Sequence, residues 1–453
     1  MEDELKGYKG IARTLLEKNN LKIWDIVTVK TEKSTFEGVI LPRYEHSSPE
    51  FIEIKLENNY NVGILAKDIQ EITKIGEKKA DYRIPEKKFP KNKDLPNVTL
   101  LGTGGTVASR LDYITGGVIP AFTPGELFST VPELAEICNV ESKILFKIFS
   151  ENMEPHYWQK IAKEIESQAN NGTDGVIIAH GTDTMGLTSA ALSFMLKDLS
   201  IPVVLVGSQR SSDRPSSDAA LNLINAANVA TSNIAEVVVC MLGTTDHEYG
   251  VIHRGTLVRK MHSSVRHAFR TIDNIPLGYI KDRNIHYFQN DYKKRNNNTT
   301  KALTDFEEKV ALVYSYPGLT EKQIEYYIDN DYRGIVLGGT GLGHVNSKLI
   351  NILSKAIKED ITILMTTQTL HGFVGMNVYS TGRQLEQIGV ISGKNMIPEV
   401  AYVKLGWVLG QTDEKEEIEN LLTTNLAGEF VEREIPPAFN YKFEDLLNSS
   451  NNN

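Results

Sequence analysis

The sequence predicts an α/β protein: a small amino-terminal β-barrel-like domain, then a pair of α/β domains with mainly parallel sheets. Three observations predict it. Short strand-like runs crowd residues 22–66, near-continuous apolar runs alternate with helical stretches beyond residue 97, and a charged, proline-bearing segment separates the two regions.

The first 20 residues place Leu5, Tyr8, Ile11 and Leu15 at helical spacing, and Asn19-Asn20 closes the pattern. KIWDIVTVK, TFEGVILPR, FIEIKLE and NVGILA follow, with the polar turns EHSSPE and NNYN between them. Short strands so closely spaced fit an oligonucleotide-binding barrel, an SH3-like barrel or a sandwich. The charged run IGEKKADYRIPEKKFPKNKDLP over 75–96 carries Pro85, Pro90 and Pro96, which interrupt both helix and sheet. It closes a first domain at 1–80 and supplies a linker at 81–96.

From Asn97 the rhythm changes. NVTLLG, KILFKIF, DGVIIAH, IPVVLVG and EVVVCML suit strands of a parallel sheet covered on both faces, and WQKIAKEIESQAN and LTSAALSFMLKDL supply helices between them. These form a domain over 97–300. The Asn-rich QNDYKKRNNNTTK near 289–301 reads as an interdomain linker. A second α/β domain, 301–440, is built on VALVYSY, GIVLGG and ITILMTTQ, with LINILSKAIKED as a helix. A tail at 441–453 ends in low-complexity NSSNNN and is expected to be disordered.

Composition excludes several functions. The net charge of −9 makes the chain a poor stand-alone binder of nucleic acid, which needs clustered Lys and Arg. No apolar stretch reaches the roughly 20 residues of a membrane span, and MEDELKGYKG lacks the apolar core of a secretion signal, so a cytoplasmic protein is expected. The two cysteines, Cys138 and Cys240, lie in apolar contexts and read as buried thiols. His247, His253, His262 and His267 match no metal-ligand spacing and read as loop and edge residues near Lys260, so no metal is expected.

Two runs carry the chemistry. LLGTGGTVAS at 100–109 and HGTDTMG at 180–186 each set a Thr beside glycines just after a strand. Right-handed crossovers put such turns at the carboxyl ends of parallel strands, where ligands bind. A hydroxyl there is placed to attack a bound carbonyl. Val107 breaks the dinucleotide pattern GxGxxG, and neither a GxxxxGK[ST] phosphate loop nor a GxSxG elbow occurs.

TGGTVAS, HGTDTMG and Lys260 in VRKMHSS resemble the signatures of the L-asparaginase/glutaminase family of threonine amidohydrolases, from about Asn97 to about Phe430. The strand-rich amino terminus, SRLDYITGGVIPAFTPGEL and AYVKLGWVLGQTD…LLTTNLAGEF resemble, within it, the D subunits of archaeal glutamyl-tRNA(Gln) amidotransferases. The resemblance implies an asparaginase-like pair of domains and a Thr nucleophile at Thr106, flanked by Gly105. It implies a second set, Thr182, Asp183 and Lys260, to move protons, with Gly181 in the turn. Tyr113, on a loop flanked by Gly116 and Gly117, would assist the nucleophile. Ser150 and Glu151 in FSENMEP would hold the substrate's α-carboxylate and α-ammonium, and Asp183 would also face that ammonium.

The function so implied is the amidase subunit of a tRNA-dependent amidotransferase, a ligase of protein biosynthesis. It hydrolyses glutamine or asparagine and supplies ammonia for converting Glu-tRNA(Gln) to Gln-tRNA(Gln). No cofactor is expected on this chain; ATP and Mg belong to the partner, an E subunit, in a heterodimer or a dimer of heterodimers. That partner would carry most of the tRNA contact. Two alternatives stay open: a free-standing L-asparaginase, and an RNA-binding adaptor without catalysis.

Overall fold

The computed structural model describes residues 4–5, 7–43, 47–58, 60–78, 91–104, 109–111, 118–120, 131–210, 216–433 and 446. In the amino-terminal unit, helix α1 (Gly10–Lys18) lies against an antiparallel sheet of β1 (Asp25–Thr31), β2 (Thr35–Ile40), β3 (Phe51–Leu56), β4 (Asn61–Leu65) and β5 (Ile69–Glu77), ordered β4-β3-β2-β1-β5. Val27, Val29, Ile52 and Ile54 alternate inward, as the period of two requires.

Three local expectations change here. The helix begins only at Gly10, so Leu5 and Tyr8 reach the core from the segment before it; the Tyr8 hydroxyl donates to Leu41 O at 2.8 Å. The helix buries Ala12 and Leu16 and leaves Ile11 55% exposed. The fifth strand, IQEITKIGE, is hidden in the sequence because its charges mask the pattern: only Ile72 is buried, and the strand's end occupies the start of the charged 75–96 run.

The large sheet has eight strands. They are β6 (Asn97–Gly104), β9 (Asn139–Ile148), β10 (Gly175–Ala179), β12 (Val203–Val206), β13 (Val237–Leu242), β14 (Gly250–Arg254), β17 (Gly278–Lys281) and β18 (Asn284–Tyr287). The short pairs are β7 (Ser109–Leu111) with β8 (Val118–Pro120), β11 (Leu196–Lys197) with β19 (Lys301–Ala302), and β15 (Val258–Lys260) with β16 (Phe269–Thr271). The order is β18-β17-β14-β13-β12-β10-β6-β9, parallel from β9 to β13 and antiparallel beyond. Helices α2 (Pro155–Asn170) and α3 (Met185–Met195) cover one face, and α4 (Ala219–Ala230) the other. Successive residues feed opposite cores: Val176 and Ile178 meet α2 and α3, while Ile177 and Ala179 meet α4. That is why these strands read as continuous apolar runs. KILFKIF is the exception. Strand β9 is the sheet's edge, and Ile144 is 44% exposed.

A second parallel sheet follows, β20 (Val310–Tyr314), β21 (Gly334–Gly339), β22 (Thr362–Thr367) and β23 (Ile391–Ser392), in that order. Helices α5 (Glu321–Asp329), α6 (Ile350–Lys358) and α7 (Ser380–Ile388) pack on one side. On the other, α8 (Pro398–Gln411) is buried almost all round, between α3 and this sheet, so one core runs through both α/β units. The last described helix before residue 433 is α9 (Lys415–Thr423). The Asn-rich 289–301 stretch is a fastened strap, not a loose tether: Thr300 is fully buried, its N–H donates to Asn170 Oδ1, and Lys301 enters the β11 pairing. Apart from Leu446, the 441–453 tail lies outside the described residues, as does most of the 81–96 linker.

Candidate active site

Three neighbouring parallel strands, β9, β6 and β10, end side by side. Their carboxyl ends lead into Ser150-Glu151, Gly104 and Thr182-Asp183 respectively. Thr103 Oγ1 donates to Ala179 O at 2.9 Å and ties two of these ends together. Gly104 has φ of 122°, and a Cβ there would lie 2.0 Å from Ile148 O, so only glycine lets β6 end this close against β9. Gly105, Thr106 and Tyr113 lie outside the described residues.

The turn after β10 is braced from beneath. A Cβ on Gly181 would meet Ser150 Cβ at 2.6 Å, and Thr184 Oγ1 donates to Ser150 O at 2.7 Å, so Ser150, 5% exposed, supports the turn. Glu151 is exposed at the same edge. Lys260, the last residue of β15, donates to Thr182 Oγ1 at 2.9 Å and to Asp183 Oδ1 at 2.8 Å. The three residues expected to act together are therefore in direct contact. The environment differs from a buried pair, however. Thr182 is buried and the Lys260 side chain is 12% exposed, but that of Asp183 is 65% exposed. The ion pair spans a dry end and a wet end.

A further network lies beneath the turn, and of its three members only His180 stands in a motif. His180 is fully buried, with Nδ1 2.6 Å from Gly181 O and Nε2 2.9 Å from Thr188 Oγ1. A carbonyl can only accept, so Nδ1 carries the proton and Nε2 accepts from Thr188. The Thr188 oxygen in turn accepts from Trp158 Nε1 at 3.0 Å. Burial pushes the His180 pKa down to about 4, which keeps the ring neutral.

The other histidines divide. His253 is not a loop or edge residue. It lies in the interior strand β14, bonds Thr271 Oγ1 through Nδ1 at 2.8 Å, and is pushed down to about 3 by burial and then by Arg270. His262 accepts from the backbone N–H groups of Ser264 and Val265, and His267 bonds Thr245 Oγ1. No group of three or more His, Cys, Asp or Glu among the described residues could hold a metal ion. Cys138 and Cys240 are free and buried, and burial alone pushes both thiols up to about 12, so they are unreactive at neutral pH. Among the described residues no helix is long and apolar enough to cross a membrane.

Paired α/β units with a Thr-Asp-Lys cluster at the carboxyl edge of the first sheet define an asparaginase-type protein. Residues 97–293 match the asparaginase amino-terminal family, and 309–422 the glutaminase/asparaginase carboxy-terminal domain. The thermostable L-asparaginase from Thermococcus kodakarensis superposes with a TM-score of 0.66 at 30% identity, over 74% of this chain and 100% of that one. Residues 21–75, in the amino-terminal β unit, match the GatD N-terminal domain. The D subunit of the glutamyl-tRNA(Gln) amidotransferase of Thermococcus kodakarensis is 50% identical over 420 residues, 91% of this chain and 96% of the relative. Its counterpart in Methanobrevibacter smithii is 47% identical over 429 residues, 94% and 98% of the two chains. The chain belongs to the family of glutamyl-tRNA(Gln) amidotransferase D subunits.

Proposed function

We propose that this chain is the amidase subunit of a tRNA-dependent amidotransferase and releases ammonia from glutamine or asparagine in the cytoplasm. The observation that carries the reading is the Thr182–Asp183–Lys260 contact beside the strand end that leads to Thr106. Thr106 Oγ attacks the side-chain carbonyl, and the C–N bond breaks. The hydroxyl proton passes through the Thr182–Lys260 pair to the departing nitrogen, which leaves as ammonia. Water then cleaves the ester, regenerating Thr106 and giving the free acid. Tyr113 assists the attack, and Ser150, Glu151 and Asp183 hold the substrate's α-groups.

A partner E subunit uses ATP and Mg to activate Glu-tRNA(Gln) and receives the ammonia, in a heterodimer or a dimer of heterodimers. The free-asparaginase alternative is disfavoured by the amino-terminal β unit, which lies outside the two asparaginase matches. The adaptor alternative is disfavoured by the assembled Thr-Asp-Lys cluster. A subunit that feeds a distant acceptor avoids waste when its amidase is coupled to that acceptor. Ammonia release under saturating glutamine, measured for the chain alone, with partner, and with partner plus Glu-tRNA(Gln), tests this. The rate should rise only when both are present. Full activity from the chain alone, indifferent to both additions, would leave a stand-alone asparaginase.

A further inference from the structure

We propose that Arg259 is a positioning residue for Lys260, held in place by Glu399 and Tyr314 of the second α/β unit; this rests on the amide-site reading above. Lys260 ends the first strand of a short ribbon. Strands β15 and β16 have three residues each and pair only with one another, outside both large sheets. An isolated two-stranded ribbon is marginal in water, so the position of the Lys260 ammonium depends on what holds the ribbon: Phe269 is buried in the core, and Thr271 bonds His253 of β14 at 2.8 Å.

Two further ties act on the strand of Lys260 itself. Val258 is buried, and its carbonyl closes on Gly186, where a Cβ would lie 3.0 Å from Val258 O. The second tie is Arg259. Neighbouring side chains on a strand point to opposite faces, so Lys260 turns to Thr182 and Asp183 while Arg259 turns to the second unit. There its Nη2 lies 2.9 Å from Glu399 Oε1, and its guanidinium lies beside the Tyr314 hydroxyl. Arg259 also stands directly opposite Arg270 across the ribbon, a like-charge pairing that a carboxylate on the same side relieves.

Glu399 needs Arg259 in return. Its Oε2 is buried and has no hydrogen-bond partner among the described residues. Glu399 is fixed in the first turn of α8, where the helix dipole favours a negative charge. That helix packs on α3, which starts two residues after Asp183, and on β20, β21 and β22. Tyr314 closes β20. Arg259 thus fastens the Lys260 ribbon to the second unit, and a displacement of α8 would be felt at the ammonium.

The test uses the full-length chain, with kcat and KM from ammonia release and folding followed by denaturation. Arg259→Gln and Glu399→Gln should each lower kcat by about 10- to 100-fold, as expected for misplacing a reacting group by about 1 Å, with KM little changed. The reversed pair Arg259→Glu/Glu399→Arg should recover most of the kcat. Should Arg259→Gln not fold, Arg259→Lys and Tyr314→Phe carry the test; each weakens the tie while sparing the charge, and each should lower kcat at unchanged KM. Lys260→Met is the reference. If it stays active, the amide-site reading itself fails. If it is dead while the Arg259, Glu399 and Tyr314 variants keep wild-type kcat, or if the reversed pair folds without recovering kcat, the positioning role is overturned.

Discussion

Thr188→Val removes one hydroxyl and keeps the volume, which isolates the network beneath the Thr182-Asp183 turn. In the native structure that hydroxyl accepts from Trp158 Nε1 and donates to His180 Nε2, at 3.0 Å and 2.9 Å, with all three side chains buried. Valine leaves a buried indole N–H and a buried imidazole nitrogen without partners. At about 1–3 kcal/mol for each unsatisfied group, the loss is about 2–6 kcal/mol, a large share of a typical folding free energy of about 5–15 kcal/mol. His180 would also lose the contact that fixes its ring, and with it the 2.6 Å bond to the Gly181 carbonyl that starts the Thr182-Asp183 turn. Stability should therefore fall together with kcat. Urea denaturation of the wild type, Thr188→Val and Thr188→Ser gives the comparison, since serine keeps the oxygen. A Thr188→Val stability within about 0.5 kcal/mol of wild type, or a serine variant as damaged as valine, would refute the reasoning.

Three further outcomes are expected. Thr106→Val should fold normally and lose several orders of magnitude in amide hydrolysis; near-native ammonia release would remove Thr106 from the mechanism. In a double-mutant cycle, Lys260→Met and Asp183→Asn should couple by no more than about 1 kcal/mol in stability, because the Asp183 side chain is 65% exposed and its ion pair is screened; Lys260→Met should be inactive and Asp183→Asn slowed but measurable, and a stability coupling of several kcal/mol would mean the carboxylate is dry. Acid should unfold the chain through His180 and His253, whose pKa values are pushed from 6.5 to about 4 and about 3. Their folded values lie below their unfolded ones, so the unfolded state takes up protons first and stability falls as pH drops below about 6.5. The two together give a slope of up to about 2.7 kcal/mol per pH unit. A flat stability between pH 6 and pH 4 in a His180→Asn/His253→Asn background would confirm the source, and an unchanged slope would exclude it.

Much of the fold could be read from residues alone because the parallel strands are buried on both faces. VVVCML needs apolar residues at every position, since Val238 and Cys240 meet one core while Val239 and Met241 meet the other. The strand-end turns were legible for the same reason: glycines that follow such runs mark a change of direction at the carboxyl edge. Where charge and burial disagree, the pattern failed. Strand β5 is charged because one of its faces is wet, β9 is apolar although it is an edge, and His253 is polar although it is interior. At the site, Thr182, Asp183 and Lys260 could be named from their motifs, but the exposure of Asp183 could not, because it depends on what stands over the turn. The Trp158–Thr188 and Arg259–Glu399 contacts join residues far apart in the chain, and the His180–Thr188 contact, although only eight residues long, crosses from a strand end into a helix, so no local spacing encodes them.

The exposure gradient across the cluster bears on substrate choice. Lys260 Nζ is shared between Thr182, which is 8% exposed, and Asp183, whose side chain is 65% exposed. Proton transfer belongs at the dry end, where a hydrogen bond to an ammonium is strong, and recognition belongs at the wet end, where a cationic group can reach the carboxylate. On the proposed reading, a substrate α-ammonium at Asp183 would draw that carboxylate's charge away from Lys260 and leave the lysine to Thr182. Binding the α-group thereby prepares the reacting end, which is binding energy spent on catalysis. A glutamine analogue lacking only the α-amino group should therefore lose kcat as well as affinity, by about tenfold or more if the released interaction is worth about 1.4 kcal/mol. In Asp183→Asn the two substrates should differ little, since the carboxylate that reads the ammonium is gone. Steady-state ammonia release with both substrates, on both proteins, decides it: an analogue with native kcat and only a raised KM would show that Asp183 binds the ammonium without passing anything on to Lys260.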